Sequence, residues 1–258
     1  MATPNRALAF LLFAASIAAS PLGHPSPKHS SGAPDLSSLV LPSSSLPAPT
    51  GLKLKHVALG IGTQNYTCSA DASSVSPSTF GALASLYDIG PFLVTPLGKL
   101  FSNSLPALAL GMYGALSAIE QSSAWNQIVS QMPMSTDVLQ TETFGHHFFA
   151  DVDTTLTPTW DLTPSTQMYP SDAPNIFFQG KKNATMAAPT EACKGLQGEG
   201  AVDWLYLTKA TSSDDEITAI YRVITAGGMQ PDTCENVNGE DIEVKYAAEY
   251  WFYGPGSC

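Results

Sequence analysis

Two long runs near the C-terminus, residues 216–225 and 242–253, constrain the fold of this chain more than any other feature. Both are built largely from β-branched and aromatic residues, and Gly- and Pro-bearing turns separate them. Such side chains suit a pleated surface better than a helix. In the first run Thr218, Ile220, Arg222 and Ile224 alternate with Ile217, Ala219, Tyr221 and Val223, so both faces are apolar. Because strand side chains alternate between faces, a strand of this kind must be covered on two sides.

Shorter segments of the same character precede them. Leu52 and Leu54 alternate with Lys53 and Lys55, and the run continues through Cys68. Residues 84–89, 144–151, 157–162, 176–179 and 202–209 read as further strands, the last setting Val202, Trp204 and Tyr206 against Asp203, Leu205 and Leu207. Successive strands without intervening helices predict a mainly β fold, an antiparallel sandwich or barrel. One stretch differs. Residues 107–132 are rich in Ala, Leu, Met and Gln, with Leu108, Met112, Ala115, Ile119 and Ile128 near a helical spacing between Pro106 and Pro133. A helical insertion is therefore expected around residues 91–134. With Pro106, Gly111 and Gly114 inside it, its apolar part reads as a packed helix or a lid, not a membrane span.

The N-terminus carries an address. Arg6 precedes an uncharged apolar run over residues 7–15, and small residues follow at Ala18, Ala19 and Ser20. A positive start, a short apolar core and a small-residue exit predict a secretory signal peptide over residues 1–19. That core is too short to cross a bilayer of roughly 30 Å. Residues 20–50 are dominated by Ser and Pro and read as a disordered leader, in which the patch 36–41 either docks or stays loose. Residues 51–258 remain for a single β-rich domain, and the protein is expected outside the cell or in the cell wall.

The formal net charge is −11, and the longest basic run is Lys181-Lys182. Nucleic acid, whose recognition rests on clustered cations, is excluded as a partner, and anionic membranes are disfavoured for the same reason. Cys68, Cys193, Cys234 and Cys258 form an even set in an exported chain, which predicts two disulfides in any of three pairings. No closely spaced pair of thiols suggests a metal site. Asn65-Tyr66-Thr67 and Asn183-Ala184-Thr185 are acceptor sequons, with Asn183 expected in a polar loop and Asn65 beside a strand and a disulfide.

Five strings occur in order: residues 60–68 (GIGTQNYTC), 145–149 (GHHFF), 200–205 (GAVDWL), 221–228 (YRVITAGG) and 247–253 (AAEYWFY). Together they resemble a family of secreted, mostly fungal proteins catalogued as a domain of unknown function, over roughly residues 52–253. Some members carry the label malate dehydrogenase. Two departures stand out: residues 91–134 are longer than the family pattern, and Asp88-Ile89-Gly90 stands where that pattern places a cysteine. The dehydrogenase label fails on the residues. A dinucleotide site wants a strand, G-x-G-x-x-G and then a helix, whereas Gly60-Ile61-Gly62 is followed by Asn65 and by more strand. No cofactor is expected.

His146 and His147 are adjacent, so an undistorted strand points them to opposite faces and they cannot chelate one ion together. His146 or His147 with Asp151 is the weak catalytic candidate, weighed against a structural histidine. Arg222, in a strand apolar on both sides, needs a partner, and Glu249, on the face of Ala247 and Trp251, is the proposed one. Arg222, Glu249 and Trp251 are thus weak ligand-binding candidates. Tyr246, Tyr250 and Phe252 share a face, as a sugar-stacking platform would require, although core packing gives the same pattern. No nucleophile elbow, H-E-x-x-H or catalytic triad is readable. The chain reads best as a non-catalytic wall-associated or host-facing binding protein, with polysaccharide or a host protein as partner. An extracellular hydrolase or metal-dependent enzyme is second, and a carrier of a small apolar ligand with the insertion as lid is third.

Overall fold

In the computed structural model, which describes residues 35–68, 76–115, 143–163, 176–210, 216–234 and 241–256, alternation along the chain resolves into a closed wall. Eight antiparallel strands pair in sequence order and the last returns to the first. They are β1 (Leu52–Thr67), β2 (Ser78–Asp88), β3 (Gly145–Val152), β4 (Thr155–Asp161), β5 (Phe177–Met186), β6 (Trp204–Lys209), β7 (Ala219–Gly227) and β8 (Asp241–Pro255). Of the two architectures the strand pattern allowed, the chain adopts the barrel. Closure runs along the longest ladder, from Leu52 opposite Pro255 to Thr67 opposite Asp241. A sheet closed in this way presents no free edge.

Two apolar bodies lie on either side of the wall. Inside are Ala58, Leu86, Trp160, Phe178, Leu207, Ile220, Tyr250 and Phe252, drawn from strands all around the barrel. The alternate residues Val57, Leu59, Ile61, Tyr221, Val223, Ala247 and Trp251 form an outer body on one side. It is covered by three helices, α1 (Gly90–Leu93), α2 (Pro96–Phe101) and α3 (Leu105–Ala115). Thr95 caps α2, its hydroxyl accepting from the Gly98 amide at 2.9 Å. Of the expected insertion, α3 supplies the helix and buries Leu105, Ala109 and Leu110 against the outer wall. It therefore packs on the barrel's side, and residues 116–134 of the expected lid lie outside the described residues.

Residues 35–49 form a strap on the outer body, with Leu36 and Leu46 buried and the Tyr221 hydroxyl donating to the Pro47 carbonyl at 2.7 Å. Apolar residues spaced through a Ser- and Pro-rich segment suffice to anchor it when a ready-made apolar face lies alongside. The signal peptide and residues 20–34 lie outside the described residues.

Gly60 and Gly62 face the interior of β1. A Cβ at Gly60 would stand 2.6 Å from the Tyr250 ring, and one at Gly62 would stand 1.9 Å from the Leu83 carbonyl oxygen. Glycine is required here because β2 and an aromatic ring approach the backbone, not because a phosphate does. The strand runs unbroken past both positions to Thr67, so no strand-to-helix turn for a dinucleotide forms there.

The connections after β1, β3, β5 and β7 gather at one end of the barrel, and those after β2, β4 and β6 at the other. At the second end Phe144 packs between His56, at 5.1 Å, and Phe252, at 6.5 Å, and plugs the interior. At the first end β3 and β4 meet through Asp153-Thr154, both left-handed with φ of 49° and 66°, as a two-residue hairpin demands. Cys68, just past β1, is joined there to Cys234, beyond β7, across 166 residues. Of the expected disulfides this one forms; Cys193 is an exposed free thiol and Cys258 lies outside the described residues. The Cys68→Ala/Cys234→Ala double variant is expected to lose about 2–5 kcal/mol of unfolding free energy in urea titrations, through loss of loop-closure entropy. A change under 1 kcal/mol would show that the closing ladder alone holds the mouth.

Candidate functional site

The interior of the barrel opens toward the disulfide-bearing end into a cavity of about 570 Å³. Its floor is aromatic. His147 of β3 and Trp160 of β4 are register partners, and their rings stack with centroids 4.1 Å apart and planes 10° from parallel. Tyr250 of β8 closes the cluster, its ring 5.6 Å from His147 and 5.8 Å from Trp160.

Arg222 of β7 stands beside this floor, opposite Leu205 on one side and Tyr250 on the other. Its Nε and Nη2 donate to the Asp203 carbonyl at 3.1 and 2.9 Å, and its Nη1 reaches Gln64 Oε1 at 3.5 Å. All its acceptors are neutral. Among the described residues no carboxylate lies within ion-pairing distance of this guanidinium, which is 8 % exposed. A buried charge held only by neutral dipoles is incompletely compensated. Two further donors that line the same cavity, Trp160 Nε1 and Gln64 Nε2, have no hydrogen-bond partner among the described residues.

The carboxylates of Asp203 and Asp232 also line the cavity, on exposed residues at its mouth, and the buried acceptors are few. His147 Nδ1 lies 2.9 Å from the Thr159 carbonyl, so that nitrogen carries the proton and Nε2 keeps the lone pair. Burial pushes the His147 pKa down to about 3, and the nearby Arg222 charge acts in the same direction. The ring is therefore neutral throughout the physiological range. Tyr246 and Tyr250 share a 2.8 Å hydrogen bond between their hydroxyls, and burial raises both pKa values. The lumen thus holds one cation and unmatched N–H groups over a flat aromatic base.

The expected Arg222–Glu249 pair does not form. Arg222 is opposite Tyr250, whereas Glu249 is opposite Val223 and Leu59, so the two side chains lie on opposite sides of the wall. A one-residue offset in register reverses the face. Glu249 instead belongs to the outer body, where its Oε2 accepts from the Trp251 indole at 2.9 Å. Its Oε1 has no partner among the described residues, and burial raises its pKa from 4.5 to about 8.

The histidine cluster also dissolves. His146 is exposed on the outer face, while Asp151 is exposed four residues beyond His147 along β3, roughly 13 Å away at strand rise. No group of three or more His, Cys, Asp or Glu side chains able to hold a metal occurs among the described residues. Tyr246, Tyr250 and Phe252 point into the barrel, so the sugar platform is interior packing. Asn183 stands exposed at a bulge within β5, not in a loop, and Asn65 is half-buried in β1, its Oδ1 accepting from the Thr63 hydroxyl at 2.9 Å. Sequence reasoning found Arg222 but missed Gln64, Trp160 and Tyr250 as its companions. A buried polar Gln64, on the same face of β1 as Ala58, Gly60 and Gly62, was the one available signal.

Glu249 yields a pH test. Its folded pKa lies above the unfolded value, so its contribution to stability is fully present below pH 4.5 and is lost as pH rises through about 8. Urea titrations at pH 5, 6.5 and 8 are expected to show the stability of the parent protein falling relative to Glu249→Gln, by up to about 1.4 kcal/mol per pH unit. A pH-independent difference would mean that the carboxyl is solvated.

The family model described as Protein of unknown function (DUF3455) matches residues 48–254, close to the span of the resemblance noted from the five strings. No curated protein and no solved structure matches the chain.

Proposed function

This chain belongs to the family Protein of unknown function (DUF3455), and we propose that its barrel is a non-catalytic receptor for a small, flat organic acid. The observation that carries this reading is Arg222, a buried guanidinium on the cavity with only neutral partners. A carboxylate placed there supplies the missing charge, and its remaining lone pairs suit the indole N–H of Trp160 and the amide of Gln64. The stacked His147–Trp160 floor suits a planar body. A volume of about 570 Å³ falls in the range of small-molecule sites. At the rim Lys182 is offset by the exposed carboxylates of Asp203 and Asp232, so the charge that selects an anion is the buried one of Arg222.

This reading keeps the binding role expected from the sequence but changes the ligand. A wall polymer needs an open stacking surface, and the aromatic series is turned inward. A carrier of purely apolar cargo would leave Arg222 uncompensated. Hydrolysis would need an acid partner for His147, and Asp151 is too far along the strand. Export by the expected signal peptide would set the receptor outside the cell, wall-associated or host-facing, where it would collect an aromatic or conjugated acid.

Calorimetric titration with benzoate, indole-3-carboxylate and 2-naphthoate, with neutral 2-naphthol as control, tests the proposal. At least one acid is expected to bind with quenching of Trp fluorescence, and Arg222→Gln is expected to weaken it about 10- to 100-fold, the range of a charge-assisted hydrogen bond. Binding of 2-naphthol should change little in that variant. If none of the acids binds, or if Arg222→Gln binds them unchanged, the receptor reading is wrong.

A further inference from the structure

The outer wall carries a second cavity, separate from the lumen. The strap, α2, α3 and the segment 189–193 enclose about 780 Å³ against β7 and β8. Its walls are largely apolar, with Leu39, Leu93, Ala107, Ile224 and Trp251 among them. Lys99 and Glu191, also on the cavity, are opposite in sign and add no net charge.

Glu249, 1 % exposed, and Trp204, 4 % exposed, are deeply buried in the lining, as is Thr225, whose hydroxyl donates to the Val202 carbonyl. Glu249 Oε1 and Trp204 Nε1 each lack a hydrogen-bond partner among the described residues. Leaving each of these atoms unmatched carries the desolvation cost of a buried polar group without a hydrogen bond to offset it. The fold does not require either group. The positions equivalent in facing on the same wall, Val223 and Ala247, are plain apolar residues that pack without such a cost.

We propose that this outer cavity is a binding site for an uncharged, largely apolar alcohol, held through its hydroxyl by Glu249 and Trp204. A hydroxyl oxygen answers both residues, its two lone pairs accepting from the Trp204 indole N–H and from the protonated Oε1 of Glu249. An anion would meet the Glu249 carboxyl, and a cation would find no assured negative charge, because burial favours the protonated acid. The apolar walls take the hydrocarbon body. Residues 38–43 of the strap form part of the enclosure, so the site is completed by a segment preceding the barrel itself.

The free thiol of Cys193 also lines the cavity and reports on its occupancy. The experiment uses the full chain with 1-octanol and 1-fluorooctane, which has nearly the same shape but is a very weak hydrogen-bond acceptor. 1-Octanol is expected to bind at least 10-fold tighter than 1-fluorooctane and, at saturation, to slow modification of Cys193 by a thiol reagent at least 5-fold. Trp204→Phe should weaken 1-octanol 5- to 10-fold while binding of aromatic acids in the lumen stays at the parent level. Equal affinity for 1-octanol and 1-fluorooctane, or no protection of Cys193 by bound 1-octanol, overturns the proposal. Both of those comparisons are made on the unaltered protein, so a failure of Trp204→Phe to fold leaves them decisive. Absence of acid binding in the lumen would leave this site untouched.

Discussion

Everything else in the structure depends on the ladder that joins β1 to β8. Fifteen register pairs, from Leu52–Pro255 to Thr67–Asp241, turn an eight-stranded sheet into a tube and settle which side of each strand is inside. Glycine at positions 60 and 62 permits that closure, since a Cβ there would strike the Tyr250 ring or the Leu83 carbonyl. Once the tube is closed, every strand sees two environments one residue apart. A barrel of this size has room inside for side chains and one small ligand, and the outer surface must be covered wherever it remains apolar.

Both cavities follow from that division. Inside, the lower end is plugged by Phe144 between His56 and Phe252, so free volume collects at the disulfide-bearing mouth. Arg222 reaches this volume because its neighbours in β6 and β8 also face inward. Outside, the three helices and the strap cover the β1–β7–β8 face but leave a cavity over Glu249, lined in part by α2 and the segment 189–193. Beside it β7 bulges between Val223 and Ala226, with Ile224 held at a φ of 46°. A β-branched residue in that conformation is strained. The bulge lets Thr225 donate to the Val202 carbonyl at 2.6 Å and turns Ile224 toward the outer cavity.

The polar groups deserve comparison across the wall. The Arg222 guanidinium is held by neutral carbonyl and amide oxygens, whereas burial drives Glu249 toward its neutral form. Had the two met, each would have neutralised the other and neither cavity would hold an unmatched group. The wall between them keeps both available. His147 plays a third part: its proton is committed to the Thr159 carbonyl, which fixes the ring flat against Trp160 and makes it a surface rather than a base.

Much of the strand pattern was legible. The runs 52–68, 144–151, 157–162 and 242–253 lie close to β1, β3, β4 and β8 because alternation and β-branched content are local properties. Strand β5 was caught only at its start, since Gly180, Lys181, Lys182 and Asn183 read as a loop until β6 pairs with them. The inward turn of Gln64, Trp160 and Tyr250 was hidden, as was the separation of Arg222 from Glu249, because each depends on register between strands far apart in the chain. The amino-acid sequence by itself determined that this protein is built of antiparallel β-strands with an even-handed apolar demand on both faces. Only the tertiary structure decided that the sheet closes, which residue of each pair faces the lumen, and where buried charge is left unanswered. The physical reason is that side-chain alternation is set by the local backbone, whereas the choice between two faces is made by partners tens to hundreds of residues away.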